Sequence, residues 1–228
     1  MSTSALPRGL PSPSRRKHRA RRVAAGVAGC GLAAWVIVAV TSDGNSLDVL
    51  GAANIFGAGL DTPPQPGGGG AGVEPPMWEI PDGTDRVLTF PEVTGRVNPI
   101  TSQPNFVGPE GDGGEFGTTD VQSFGGISGI VHEEAGIFVV GVLLTDAPPE
   151  DPAPERLDVT DQATAGSIEP EIGQTFLIGD GTDLRVQVPD EATRLFVGYA
   201  DGYYYKGQPG WYDNNSGRVQ VTVELADR

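Results

Sequence analysis

The chain has 228 residues, with thirty acids against fifteen Lys and Arg and a single cysteine. Residues 1 to 42 hold seven of the bases and no acid, so the other 186 residues carry eight bases and thirty acids, a formal charge of −22. A region that acidic repels phosphate backbones, which excludes nucleic acid as a partner. With Cys30 alone there is neither a disulfide nor a thiolate metal site, so any metal is held by oxygen.

Residues 1–22 are rich in Ser, Pro and Arg and end in Arg15-Arg-Lys-His-Arg-Ala-Arg-Arg22, a basic disordered tail. Val23 to Thr41 is a run of nineteen uncharged, mostly apolar residues. As a helix it measures about 28 Å, close to the roughly 30 Å of a bilayer's hydrocarbon. The run predicts one transmembrane helix, a signal anchor. The bases on its N-terminal side place the tail in the cytoplasm and the rest outside the cell membrane. Two processing readings compete with a retained anchor: a cleavable signal peptide ending near Ala39-Val-Thr41, and Val27-Ala-Gly-Cys30, which is similar to a bacterial lipobox. Residues 42–72, with Gly-Ala-Gly, Thr-Pro-Pro-Gln-Pro and Gly67 to Gly70, read as a flexible linker.

Residues 73–228 are enough for one sizeable core. Short apolar or alternating runs recur there: 86–90, 121–124, 127–131, 137–144, 175–178, 184–188, 194–199 and 218–225. Gly, Pro and Asp separate them, and no stretch keeps a long 3.6-residue period. The pattern predicts an all-β domain, an antiparallel β-sandwich or jelly roll. Ile137 to Leu144 is the most continuously apolar run and is expected to be a central strand. In Arg218 to Leu225 the alternation puts Val219, Val221, Val223 and Leu225 toward the core. Asp146 to Arg156, with four prolines, is a surface crossing.

Nothing in the sequence marks an enzyme. His132 stands alone at a strand end beside Glu133 and Glu134, with no nucleophile assigned to it. The Gly-Asp-Gly segments around Asp112 and Asp180 read as turns rather than cation loops.

The stretch from Asp201 to Gly217 is different. It gathers carboxylate and carboxamide oxygens (Asp201, Asp213, Asn214, Asn215), three kinds of turn residue and five aromatic rings, Tyr203, Tyr204, Tyr205, Trp211 and Tyr212. Hard cations such as Ca²⁺ take six to eight oxygens on a sharply turning chain. Flat amphipathic rings beside such an ion suit a ligand with one wet face, a sugar first of all. Pro209-Gly-Trp-Tyr-Asp-Asn-Asn-Ser-Gly217, followed by an alternating terminal strand, resembles the calcium-site signature of the PA-IL-like galactophilic lectins, over about Thr193 to Val223. The resemblance implies a galactose-binding-like sandwich and a Ca²⁺ held by Asp201, Asn214 and Asn215. It adds the carbonyls of Trp211 and, from an earlier loop, Val107. A bound carbohydrate, galactose or a cell-envelope glycan, would then complete the ion's shell beside Tyr203, Tyr204, Tyr205 and Tyr212, together with Asp201 and Asn214. The chain departs from the family's pattern in three ways: Gly202 to Gln208 is a longer connection, no histidine lies between 105 and 120, and the domain is longer and follows an anchor that the soluble lectins lack. The expected function is calcium-dependent carbohydrate binding without catalysis. The alternative is a calcium-stabilised structural or protein-adhesion module of the cell envelope.

Overall fold

The computed structural model of the protein describes residues 45–114, 117–162 and 166–226. The expected tail at 1–22 and the expected membrane helix at 23–41 lie outside them. Among the described residues no helix is long and apolar enough to cross a membrane.

Regular structure among the described residues is all β apart from short 3-10 turns. The strands are β1 (Ser46–Leu50), β2 (Met77–Glu79), β3 (Val87–Asn98), β4 (Thr119–Val121), β5 (Ile130–His132), β6 (Val140–Leu144) and β7 (Leu157–Asp158). They continue with β8 (Ser167–Ile168), β9 (Thr175–Leu177), β10 (Arg185–Gln187), β11 (Arg194–Gly198), β12 (Gly202–Tyr203), β13 (Lys206–Pro209) and β14 (Ser216–Ala226). Three sheets result, ordered β1-β14-β3-β10-β8, β2-β11-β6-β9 and β12-β13-β4-β5-β7. Most pairs are antiparallel, but β10 with β8, β13 with β4 and β5 with β7 are parallel. The expectation of a wholly antiparallel fold is corrected there. Each parallel pair is only two residues long, the contact of a crossing loop rather than a full ladder.

Alternation along the second sheet explains the layering, because successive side chains of a strand point to opposite faces. Leu143, Phe176, Leu195 and Val197 join the core formed with Val49, Leu88, Val219 and Val221 of the first sheet. Val140, Val142, Leu144, Leu177 and Phe196 join a second core with Val121 and Ile130 of the third sheet. The second sheet is therefore apolar on both faces. This accounts for the continuous hydrophobic run that ends in β6, every residue of which is buried.

The reading of 42–72 as a linker does not hold for its described residues, 45–72. Leu47 and Val49 of β1 are buried, and β1 pairs along its whole length with β14, from Ser46 opposite Thr222 to Leu50 opposite Arg218. Asn54 then caps a 3-10 turn at Ile55–Gly57 whose residues are all buried. The glycines are there for close approach. A Cβ at Gly67 would lie 2.3 Å from the Gln208 carbonyl oxygen, and one at Gly70 would lie 2.2 Å from Asp213 Cβ. The composition of a flexible coil is here the composition of a chain packed against another backbone.

Strand β3 is longer than its predicted core because it runs through Pro91. Pro91 lies at a register shift against β14 and beyond the three residues that β10 covers, so its missing N–H breaks no ladder. Val219, Val221 and Val223 are buried as expected. Leu225 is instead 39% exposed, because β1 covers β14 only as far as Thr222.

Arg86, 7% exposed, closes the end of the first sheet. Its guanidinium donates to the carbonyls of Pro81 (3.2 Å), Ala192 (2.9 Å), Pro189 (2.8 Å) and Asp190 (2.8 Å), tying two loops about a hundred residues apart to the start of β3. Arg86→Ala leaves these loop carbonyls unpaired. It is expected to cost roughly 2–4 kcal/mol and to lower the melting temperature by roughly 4–16 °C in a calorimetric scan. Arg86→Lys recovers less than half of the loss, since an ammonium cannot span the four acceptors.

Candidate functional site

The second sheet delivers the chain to the site. After β11 the backbone passes Tyr199 and Ala200 and turns at Asp201, which is 2% exposed. The turn is fixed from below. The Asp201 N–H donates to the Tyr212 hydroxyl (3.0 Å), and that hydroxyl donates to the Tyr199 carbonyl (3.0 Å). Tyr212 is completely buried and belongs to the core, which corrects its assignment as a sugar-facing ring.

From Asp201 the chain forms the hairpin β12–β13, which docks on β4 through Asp120 N–H to Tyr205 O (2.9 Å) and Gln122 N–H to Gly207 O (2.7 Å). Pro209 and Gly210 return it to Trp211, whose φ of 71° is left-handed, and a 3-10 turn over Tyr212–Asn214 leads into extended Asn215 and β14. Trp211 is clamped by the glycine segment: its amide donates to Gly68 O (3.0 Å) and its indole N–H to Gly67 O (3.1 Å). On the other side Thr101 donates to the Asn214 carbonyl through its amide (2.8 Å) and its hydroxyl (2.5 Å). The loop beyond β3 is thereby latched onto the 3-10 turn.

These segments enclose a cleft of about 270 Å³ lined by Asp201, Gly202, Tyr203, Tyr204, Tyr205, Trp211 and Asn214, with Pro99, Ile100 and Gln103 opposite. Most of the expected site residues do meet here. Val107 does not line it. Its amide and carbonyl pair with Val97, each at 3.0 Å or less, and the earlier loop that reaches the cleft is 99–103. The shift follows from Asn98, whose buried side chain accepts from the amides of Ile100 (3.4 Å) and Asn105 (3.1 Å) and so folds 99–105 into a compact bend. The sequence signal for this was an Asn followed by a Pro, a turn start. Asp213 is exposed and covers Gly70 rather than the cleft.

The electrostatics of the site are one-sided. The Asp201 carboxylate accepts from Gly202 N–H (2.7 Å) and Asn215 Nδ2 (2.8 Å). The same Nδ2 also donates to Gly51 O at 3.1 Å, so both of its hydrogens are used and the Asn215 amide is held in place. The Oδ1 atoms of Asn214 and Asn215 are both buried with no donor. Burial pushes the Asp201 carboxyl up to about 7 against the opposing pull of Asn215 and Gly202. Burial also raises the Tyr205 and Tyr212 phenols, with the Asp201 charge adding to the effect. Hydrogen-bond acceptors outnumber protein donors, a deficit that a proton, a water molecule or a cation corrects.

A carboxylate and carboxamide oxygens on a tight turn are of the kind a divalent cation takes, but Asn215 turns its amide nitrogen to the Asp201 carboxylate and does not line the cleft, so its oxygen reaches an ion shared with Asp201 only if that amide rotates. Among the described residues there is no group of three or more His, Cys, Asp or Glu that could hold a metal, so an ion here rests on amide and carbonyl oxygens beside a single acid. The other Asp-rich loops form turns: Asp180 accepts from Thr182 N–H (2.9 Å), and Asp112 accepts from Gly114 N–H (3.0 Å) and Asn105 Nδ2 (3.1 Å). His132 lines a different, smaller cleft of about 110 Å³ and packs 5.2 Å from the Phe138 ring, where burial lowers its pKa despite Asp158 and Glu134.

Compared with protein-family models and with curated proteins, the chain matches none of them.

With divalent cations chelated, the raised pKa of Asp201 gives an inverted pH dependence. Below about pH 4 the carboxyl is protonated in folded and unfolded chains alike. Between about pH 4 and 7 only the unfolded chain ionises, so stability falls as pH rises, by roughly 4 kcal/mol, and levels off above pH 7. Asp201→Asn removes this slope. Urea unfolding of both proteins at pH 5, 6, 7 and 8 measures it as the difference between them.

Proposed function

We propose that the 201–217 loop is a calcium-dependent carbohydrate site on a lectin-like β-sandwich presented outside the cell membrane by the N-terminal anchor. The observation that carries this reading is the pair of donorless, buried Oδ1 atoms on Asn214 and Asn215 beside the buried Asp201 carboxylate. Asp201, Asn214 and Asn215 would hold Ca²⁺, with carbonyls of Trp211 and of the 99–103 loop, which takes the place first given to Val107. The vicinal hydroxyls of a sugar such as galactose would occupy the remaining positions, replacing water at little enthalpic loss. The cleft offers acceptors for an ion and rings for a sugar's apolar face. We read it as a binding module rather than an enzyme.

With one carboxylate in the set, affinity belongs at the weak end, about 10⁻⁴–10⁻³ M, because ligand charge tunes calcium affinity. At 1 mM Ca²⁺ that range gives roughly 0.4–1.4 kcal/mol of added stability.

A second reading has its own support. The site binds together residues 51, 67–70, 101 and 201–215 through short hydrogen bonds, as a purely structural pin would. In that case the ion strengthens an envelope or adhesion module and no sugar binds.

Calcium at 1 mM is expected to raise the melting temperature by roughly 1–6 °C over chelator. Asn214→Ala should abolish that increment while leaving the melting point in chelator unchanged or slightly raised, since the deleted oxygen has no partner. A glycan array run with calcium and with chelator decides between the readings. Calcium-dependent glycan signal that Asn214→Ala removes supports the lectin. A calcium shift with no glycan signal leaves only the pin.

A further inference from the structure

The hairpin between Asp201 and Pro209 carries bulky aromatic residues where its turn favours small ones. Tyr204 and Tyr205 occupy its two turn positions with φ of 53° and 58°, and Trp211 facing them has φ of 71°. A two-residue turn of this type favours Asn-Gly, because a Cβ in the left-handed region is strained, and bulky residues there are unusual. All three rings line one cleft; the core accounts for Tyr205 and the glycine segment for Trp211, which leaves Tyr204 as the strained aromatic that the fold does not account for. Strain gathered at one place is a reason to look for a role in the side chains.

Their arrangement indicates what that role is. Tyr205 is buried and anchors the hairpin. Tyr203 and Tyr204 are 57% and 50% exposed, large apolar surface that the fold leaves uncovered. They are nonetheless ordered against each other: the Tyr203 ring lies 4.4 Å from Tyr204, edge to face, and 5.1 Å from Trp211, tilted by 49°. Flat faces fixed in this way bind a flat apolar face with little loss of side-chain freedom. The cleft, at about 270 Å³, is at or below the lower end of the range for small-molecule sites and has room for one ring. The exposed aromatic surface lies at its mouth.

We propose that Tyr203, Tyr204 and Trp211 form a second subsite that stacks on the next ring of an oligosaccharide, so that this site selects chains over free monosaccharides. The inference rests on the carbohydrate reading of the cleft. It adds that the connection from Gly202 to Gln208 lengthens the binding site instead of only bounding it.

The test uses titration calorimetry in calcium with galactose, glucose and mannose, each as its methyl glycoside and as its homodisaccharide. For any hexose that binds, the disaccharide is expected to bind roughly 2- to 10-fold more tightly, the range of one aromatic contact. Tyr203→Ala should bring the ratio to about one. Tyr204→Gly should raise the melting temperature by relieving the turn while lowering the ratio, a combination that a merely structural hairpin does not give. Equal affinity of disaccharide and methyl glycoside, or a ratio untouched by Tyr203→Ala, would overturn the subsite and leave the ion-bound sugar standing. No binding by any glycoside with calcium loaded would overturn both.

Discussion

A carboxylate buried without a cation beside it sets the character of this domain. Asp201 is almost fully enclosed, and two donors reach it, Gly202 N–H and Asn215 Nδ2. An isolated buried charge is among the most unfavourable things a fold can contain, and two hydrogen bonds offset only part of its desolvation. The Oδ1 atoms of Asn214 and Asn215 add to the imbalance, since they, unlike the Asp201 oxygens, have no donor. Natural cores rarely leave buried acceptors without a donor, and where they do an ordered water, an ion or a function accounts for them. The geometry is maintained from outside the site by Tyr212 bridging Asp201 to Tyr199, by Thr101 on Asn214 and by Gly51 on Asn215. The fold itself therefore fixes the backbone at Asp201 and Asn214 and the side chain of Asn215.

The supporting structure is drawn from remote parts of the chain. The wall behind Trp211 comes from 67–70, the roof from 99–103, and the floor from the end of β11. None of these elements makes a site alone. Close backbone contact between the wall and the loop is possible only because the wall is nearly all glycine. The segment that composition assigned to a tether is thus part of the wall of the cleft.

How much of this was legible follows from which physical signals are local. The apolar runs that became β6, β9, β10, β11 and β14 were readable because hydrophobic patterning is a local signal that burial enforces. The oxygens of Asp201, Asn214 and Asn215 were readable because they share one loop and one backbone turn. β1 was not recognised, although Leu47 and Val49 alternate correctly, because five residues set among glycines carry too little pattern against the composition around them. The role of Gly67 to Gly70 could not be read at all, since a glycine selected for close approach and one selected for flexibility are the same letter. The earlier loop was placed a few residues late, at Val107, because its course depends on a side chain, Asn98, bonding to amides two and seven residues on. Tyr212 was misassigned because a tyrosine in a motif gives no sign of whether it faces water or core.

The order β1-β14-β3 in the first sheet has a consequence for how the molecule is made. The strand between β1 and β3 is β14, which follows every other described strand in the chain, so β1 and β3 have no partner between them until residues 216–226 have emerged. Over that interval two long, unpaired strand edges and the apolar faces of Leu47, Val49, Leu88 and Val97 stay open to any neighbouring chain. A topology of this kind exchanges early folding for a single late closure. Asn215, the residue just before that strand, donates to Asp201, so the step that covers the open faces of β1 and β3 also completes the polar cluster around Asp201.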